Sequence, residues 1–124
     1  MRKILIADDK GSSRELLKIV LESPENEIIE AEDGAEALKC ARTIAPDLII
    51  LDLHMPHFNG FEVLAELRAD PKFARTPVLA LTASAMQGDR ERAIAAGFDS
   101  YMSKPIGLPK LRAEVERLLA RKSE

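Results

Sequence analysis

The chain has 124 residues, 46% of them apolar and 31% charged, enough for one ordinary domain whose core needs no disulfide or metal staple. Its 18 basic and 21 acidic side chains leave a formal charge of −3, and an acidic domain without a basic patch argues against a nucleic-acid partner. A single cysteine excludes an internal disulfide framework and a thiol zinc cluster, and no apolar run approaches the roughly 20 residues that span a bilayer.

In chain order, apolar runs alternate with helical patterns. Ile4-Leu5-Ile6-Ala7 is a buried strand that ends in Asp8-Asp9. Leu16, Leu17, Val20 and Leu21 then form the stripe of a first helix. Ile28-Ile29 is a short strand flanked by Glu27 and Glu30, and Ala35, Ala37, Leu38 and Ala41 suggest a second helix. Leu48-Ile49-Ile50-Leu51 is a third strand ending in Asp52, followed by a helix carrying Phe61, Val63, Leu64 and Leu67. Val78-Leu79-Ala80-Leu81 ends in Thr82. The stretch from Ser84 to Ala96 is the weakest helix, because Gly88 near its middle costs about 0.5–1 kcal/mol relative to alanine. Tyr101-Met102 is a fifth strand with Lys104 after it, and Leu108, Leu111, Val115, Leu118 and Leu119 mark the last helix.

Strands one, three and four are continuously apolar, as parallel strands covered on both faces are. Strands two and five carry polar flanks and belong at the edges. Five strand-then-helix units with that burial predict a doubly wound α/β fold, a (βα)5 parallel sheet in the order 2-1-3-4-5. The whole chain, residues 1–124, reads as one domain. Met1 and the polar Arg121-Lys122-Ser123-Glu124 end suggest a complete single-domain protein.

In such a sheet, ligands bind beyond the carboxyl ends of the strands, at the switch point between strands one and three. That brings Asp8, Asp9 and Asp52 to one crevice. Two carboxylates 4 Å apart repel by roughly 4 kcal/mol at an effective dielectric of 20, and a hard cation relieves the repulsion. An all-oxygen donor set suits Mg²⁺ beside a phosphate. Thr82 offers a hydroxyl and Lys104 an ammonium from the neighbouring strand ends. Each residue also has a plainer reading. Asp8 and Asp9 could cap the first helix, Asp52 could form a turn ahead of Pro56, Thr82 could close its strand, and Lys104 could be a solvated charge. His54 and His57 beside Asp52 could be read as a metal cluster, but two loop histidines without a third strong ligand make a poor one. Tyr101, the only tyrosine, reads as a half-buried edge residue.

Ile4 to Asp9, Asp52-Leu53-His54-Met55-Pro56 with Gly60, Leu81-Thr82-Ala83 and Lys104-Pro105 resemble the receiver domain of bacterial two-component response regulators, a CheY-like, flavodoxin-like fold. Ala80 to Ile106 looks especially like stand-alone receivers of the DivK type and receivers attached to hybrid histidine kinases. The resemblance implies that Asp52 takes a phosphoryl group from a phosphohistidine on a histidine kinase or phosphotransfer protein. It implies that Asp9, Asp52 and the backbone carbonyl of His54 ligate Mg²⁺ (or Mn²⁺), with Asp8 acting through water. Lys104 would pair with the phosphoryl group, Thr82 would swing toward it, and Tyr101 would turn inward behind it. The Lys104–Pro105 bond would be cis, Ala83 would leave room beside the phosphoryl group, and His54 and Ser84 would influence how long that group survives.

Phosphorylation adds about −1.5 to −2 charges, so the face formed by the fourth helix, fifth strand and fifth helix is expected to shift, with the weakened fourth helix as the mobile element. The protein would control a downstream protein or pass its phosphoryl group onward, assisting its own phosphorylation and dephosphorylation without being an enzyme for other substrates. No nucleic acid or membrane is expected as a partner, and a cytoplasmic location is. An aspartate-nucleophile phosphatase would instead carry D-x-D after the first strand. A flavodoxin-like cofactor binder would need a phosphate loop and more than 4% aromatic residues. An unphosphorylated scaffold would have no use for the acidic set.

Overall fold

A computed structural model of the chain describes residues 1–56, 58–82, 88–104 and 107–122, with Arg121 and Lys122 described by backbone only. His57, Ala83, Ser84 and Pro105 lie outside the described residues. The strands are β1 (Arg2–Ala7), β2 (Asn26–Ala31), β3 (Leu48–Asp52), β4 (Val78–Thr82) and β5 (Ser100–Ser103). Between and after them run α1 (Gly11–Leu21), α2 (Gly34–Ile44), α3 (Gly60–Ala69), α4 (Asp89–Ala96) and α5 (Leu108–Lys122), with a 3₁₀ turn at Pro71–Phe73. Among the described residues the strands form one parallel sheet in the order β2-β1-β3-β4-β5. This is the CheY-like arrangement anticipated from the burial of the strands.

Strand alternation divides the core into two layers. Leu5, Ala7, Ile49, Leu51, Val78 and Ala80 face α2, α3 and α4, where Ala37, Leu38, Val63, Leu64, Leu67 and Ala93 cover them. Ile4, Ile6, Leu48, Ile50, Leu79 and Leu81 face α1 and α5, where they meet Leu17, Val20, Leu21, Leu111, Val115 and Leu118. Every residue of β3 and β4 is buried, whereas β2 and β5 alternate with exposed or half-buried positions.

Local chemistry sets the helix ends. Asp33 caps α2 by accepting from the Glu36 N–H at 2.8 Å. At α3, Asn59 and Glu62 form a reciprocal capping box with both bonds at 3.0 Å. Three expectations are corrected. Gly88 is not inside the fourth helix: it is the N-cap of a shorter α4, at φ +88°, a conformation that glycine adopts without a Cβ clash. The weakness attributed to a mid-helix glycine therefore does not exist. Leu16 is 53% exposed and falls outside the α1 stripe, which consists of Leu17, Val20 and Leu21. Leu108 and Ala35 also face solvent, while Leu111 and Ala37, three and two residues further along their helices, are buried.

At the end of the sheet opposite the acidic residues, Arg68 of α3 acts as a brace. It donates to the carbonyls of Phe73 and Thr76 at 2.8 Å each and to that of Gly97 at 3.2 Å. It also pairs with Asp99 Oδ2 at 2.8 Å, and the same oxygen accepts from the Val78 N–H. One guanidinium thereby ties the starts of β4 and β5 to the end of α4.

Candidate functional site

Strand register levels the carboxyl ends of the central strands. Ala7 pairs with Leu51, Asp52 with Leu81, and Thr82 with Ser103. Asp8 follows β1 and Asp52 ends β3, so their side chains emerge side by side. Asp8, Asp9 and Asp52 each place a carboxylate oxygen within 4.8 Å of the other two. His54 is not part of this group; its side chain is exposed.

The three acids differ in environment. Asp8 is 1% exposed and both its oxygens are engaged: Oδ1 accepts from the Lys10 N–H at 2.9 Å and Oδ2 pairs with Lys104 Nζ at 2.7 Å. Asp9 is exposed to solvent. Asp52 is 6% exposed, with Oδ1 accepting from the His54 N–H at 3.0 Å. Burial pushes the Asp52 carboxyl above its ordinary range; the charges of Asp8 and Asp9 push it further up, opposed by the His54 bond and the Lys104 charge. Neither Asp8 nor Asp9 is the N-cap of α1: that residue is Lys10, which makes no side-chain capping bond.

The other strand ends complete the crevice. The Lys104 N–H donates to the Thr82 carbonyl at 2.8 Å, fixing the exit of β5 against the end of β4. Thr82 is fully buried. Tyr101 is half-buried, packed on the core layer of α2, α3 and α4. Burial raises its phenol pKa, with Asp89 and Glu91 adding to the shift and Arg90 opposing it, so the ring lies beside the start of α4. Gly60 lets α3 approach the site: a Cβ there would stand 2.7 Å from the Asp52 carbonyl oxygen.

Two contributors escaped the sequence reading. The Lys104 ammonium also donates to Ser13 Oγ at 3.1 Å, and Arg14 Nη1 donates to the Asp8 carbonyl at 2.7 Å. Nothing in the local pattern of α1 separates Ser13 from the exposed Ser12 beside it. Only helix phase, with Leu17 buried four residues on, points Ser13 toward the sheet.

The family model of the response regulator receiver domain matches residues 4–116. The chain belongs to that family. The polar-differentiation response regulator DivK of Brucella anthropi is 36% identical over 118 residues, covering 95% of this chain and 96% of the relative. DivK of Brucella ovis matches equally well, at 36% over 118 residues. Among solved structures, the Vibrio cholerae chemotaxis protein CheY4 superposes with a TM-score of 0.87 at 31% identity, covering 95% of this chain and 98% of that one. The receiver domain of a signal transduction histidine kinase from Syntrophus aciditrophicus gives 0.88 at 32% identity, covering 97% and 91%. The chain is thus a receiver domain of two-component signalling, a class of signalling phosphoacceptors that work with histidine kinases and downstream targets. Receivers bind Mg²⁺ through an acidic cluster, and the Asp8, Asp9 and Asp52 group is of that kind. Among the described residues no helix is long and apolar enough to cross a membrane.

Proposed function

We propose that Asp52 is the phosphoacceptor of a two-component or phosphorelay pathway. The observation that carries this reading is a buried carboxylate raised in pKa at the meeting point of two other acids and one lysine charge. In the reaction, an Asp52 carboxylate oxygen attacks the phosphorus of a partner phosphohistidine. An O–P bond forms and the P–N bond breaks. Its electron pair returns to the imidazole nitrogen, which takes up a proton. The raised pKa of Asp52 makes its ionised form the more basic nucleophile.

The donor set fits a hard divalent cation: all oxygen, one member exposed for entry, and three clustered carboxylates whose charge the Lys104–Asp8 pair offsets only in part. Asp9, Asp52 and the His54 carbonyl would hold Mg²⁺, or Mn²⁺ in its place, with Asp8 acting through water. The engagement of both Asp8 oxygens, one by the Lys10 N–H and one by the Lys104 ammonium, supports that indirect role. When bound, the ion screens the repulsion between the carboxylate and the incoming phosphoryl oxygens. Lys104 then divides its charge between Asp8 and the phosphoryl group, and the Thr82 hydroxyl supplies a second donor.

The same groups assist hydrolysis of the acyl phosphate, so the domain contributes to its own dephosphorylation. Lys104 and Thr82 are joined through the backbone bond between β4 and β5. Their response to the added charge therefore reaches the α4-β5-α5 face, where Tyr101 is the switch residue and a partner protein would dock. The alternative output is transfer of the phosphoryl group to a second histidine.

Incubation with phosphorylated histidine kinases or phosphotransfer proteins in Mg²⁺ tests this reading. Wild type should gain about 80 Da, the mass of one phosphoryl group; chelation or Asp52→Asn should abolish the gain. Undiminished labelling of the Asp52→Asn protein, or multiple-turnover hydrolysis of a phosphomonoester, would remove Asp52 from this role.

A further inference from the structure

We propose that Ser13 is a positioning residue for Lys104, holding its ammonium at the mouth of the crevice so that it meets a phosphoryl group arriving on Asp52. The inference rests on the phosphoacceptor reading above and adds to it a residue on α1, an element that otherwise only covers the sheet.

Lys104 reaches the site on a long flexible stem from the end of β5, and nothing in such a stem fixes where its charge rests. Two contacts fix it here. Asp8 Oδ2 takes one N–H at 2.7 Å and Ser13 Oγ takes another at 3.1 Å, which leaves one ammonium proton for a third acceptor. The two anchors behave differently once Asp52 is phosphorylated. Asp8 is a charged competitor with the new oxygens for the ammonium, whereas Ser13 is a neutral acceptor that limits the side chain's wandering without opposing the transfer of its charge.

Ser13 is suited to this because its own position is rigid. It sits in the first turn of α1, four residues before the buried Leu17, and its neighbour Arg14 fastens that turn to the Asp8 carbonyl at 2.7 Å. The anchor therefore stands on a helix bolted to the end of β1, not on a loop. Ser13 is half-buried, which keeps its bond partly shielded from competing water.

The test uses full-length protein, acetyl phosphate as phosphodonor and excess Mg²⁺. Ser13→Ala should slow phosphoryl uptake about three- to tenfold, the loss of one partly exposed hydrogen bond to a charged donor. Ser13→Thr, which keeps the hydroxyl, should restore most of the rate. In a Lys104→Ala background the Ser13→Ala change should have no further effect, since its only route to Asp52 is removed. Alanine is the better helix former, so a purely structural role for Ser13 predicts no loss.

A readout independent of phosphorylation is proton exchange of the Lys104 ammonium by NMR. It should quicken in the Ser13→Ala protein and return to the wild-type rate with threonine. Wild-type uptake with no change in either measurement on Ser13→Ala, or an equal loss in the Lys104→Ala background, overturns the inference. Failure of wild type to gain a phosphoryl group from either acetyl phosphate or a phosphorylated histidine kinase, with the ammonium nonetheless loosened, would instead overturn the phosphoacceptor reading and leave the anchor in place.

Discussion

Asp52→Asn should stabilise the fold at neutral pH in the absence of divalent ions. The substitution removes one charge from a cluster whose carboxylate oxygens lie within 4.8 Å of one another. At that spacing each pair of unit charges repels by about 3.5 kcal/mol at an effective dielectric of 20. Lys104, 2.7 Å from Asp8, offsets part of this, and solvent around the exposed Asp9 screens more. A net gain of about 1–2 kcal/mol remains, which for a domain of this size raises the melting temperature by about 3–8 °C. Asparagine keeps an oxygen for the His54 N–H, so no buried donor is orphaned. The sign with pH follows from the direction of the shift. The Asp52 pKa is raised on folding, so its protonated form favours the native state at low pH, and that contribution is lost as pH rises through the folded value. The advantage of asparagine should therefore be widest near pH 7 and close on acidification. Mg²⁺ at ten times its Kd should stabilise the wild type by about 1.4 kcal/mol and the variant by less. Thermal unfolding followed by circular dichroism, in EDTA and in Mg²⁺ at several pH values, reads all of this. An asparagine variant that melts below wild type at pH 7 in EDTA, or a gap that widens in acid, would refute the electrostatic account.

Arg68→Ala removes the donor to three carbonyls and leaves Asp99 without its guanidinium partner. The pair is only partly buried, so the loss should be about 2–4 kcal/mol, measured as a shift of the urea midpoint. Gly34→Ala places a Cβ 2.2 Å from the Phe58 carbonyl oxygen and 2.9 Å from Val63. Because the nearest obstacle is backbone, the substitution should destabilise by about 1–3 kcal/mol in the same assay. Leu17→Ala should cost about 2–4 kcal/mol and Leu16→Ala about 0.5 kcal/mol or less, since Leu17 is 5% exposed and Leu16 53%.

What the sequence made legible depended on how far each signal extends along the chain. Strand identity and order follow from contiguous apolar runs, and the almost unbroken apolar character of strands one, three and four is what predicts their central place, where β1, β3 and β4 lie. Once the order is known, Asp8, Asp9 and Asp52 must meet, because each closes or follows a strand whose neighbour ends at the same level. Helix faces were harder to read. Leu16 and Leu17 are equivalent by composition, and a phase shift of one residue decides which faces the sheet. Gly88 was misplaced for a related reason. A glycine near the middle of an alanine-rich stretch reads as a weak helix interior, but here a left-handed backbone makes it the residue that starts the helix. Helix phase points Ser13 toward the sheet, but its partner, Lys104, lies 91 positions away and no periodic pattern links the two.

The two ends of the sheet are built on opposite electrostatic terms. At the carboxyl end, three acids cluster while the lysine ammonium pairs with one of them, Asp8, and the burial of Asp52 adds to the cost of its charge. At the amino end, one arginine satisfies three carbonyls and a carboxylate that itself anchors the start of β4. Repulsion confined to the crevice can be relieved by a cation or a proton, whereas carrying two packings from 1:99 to 99:1 takes a differential interaction of about 5.5 kcal/mol. The Arg68 brace pins the far ends of β4 and β5, so these strands are tied by attraction at one end and meet repulsion at the other.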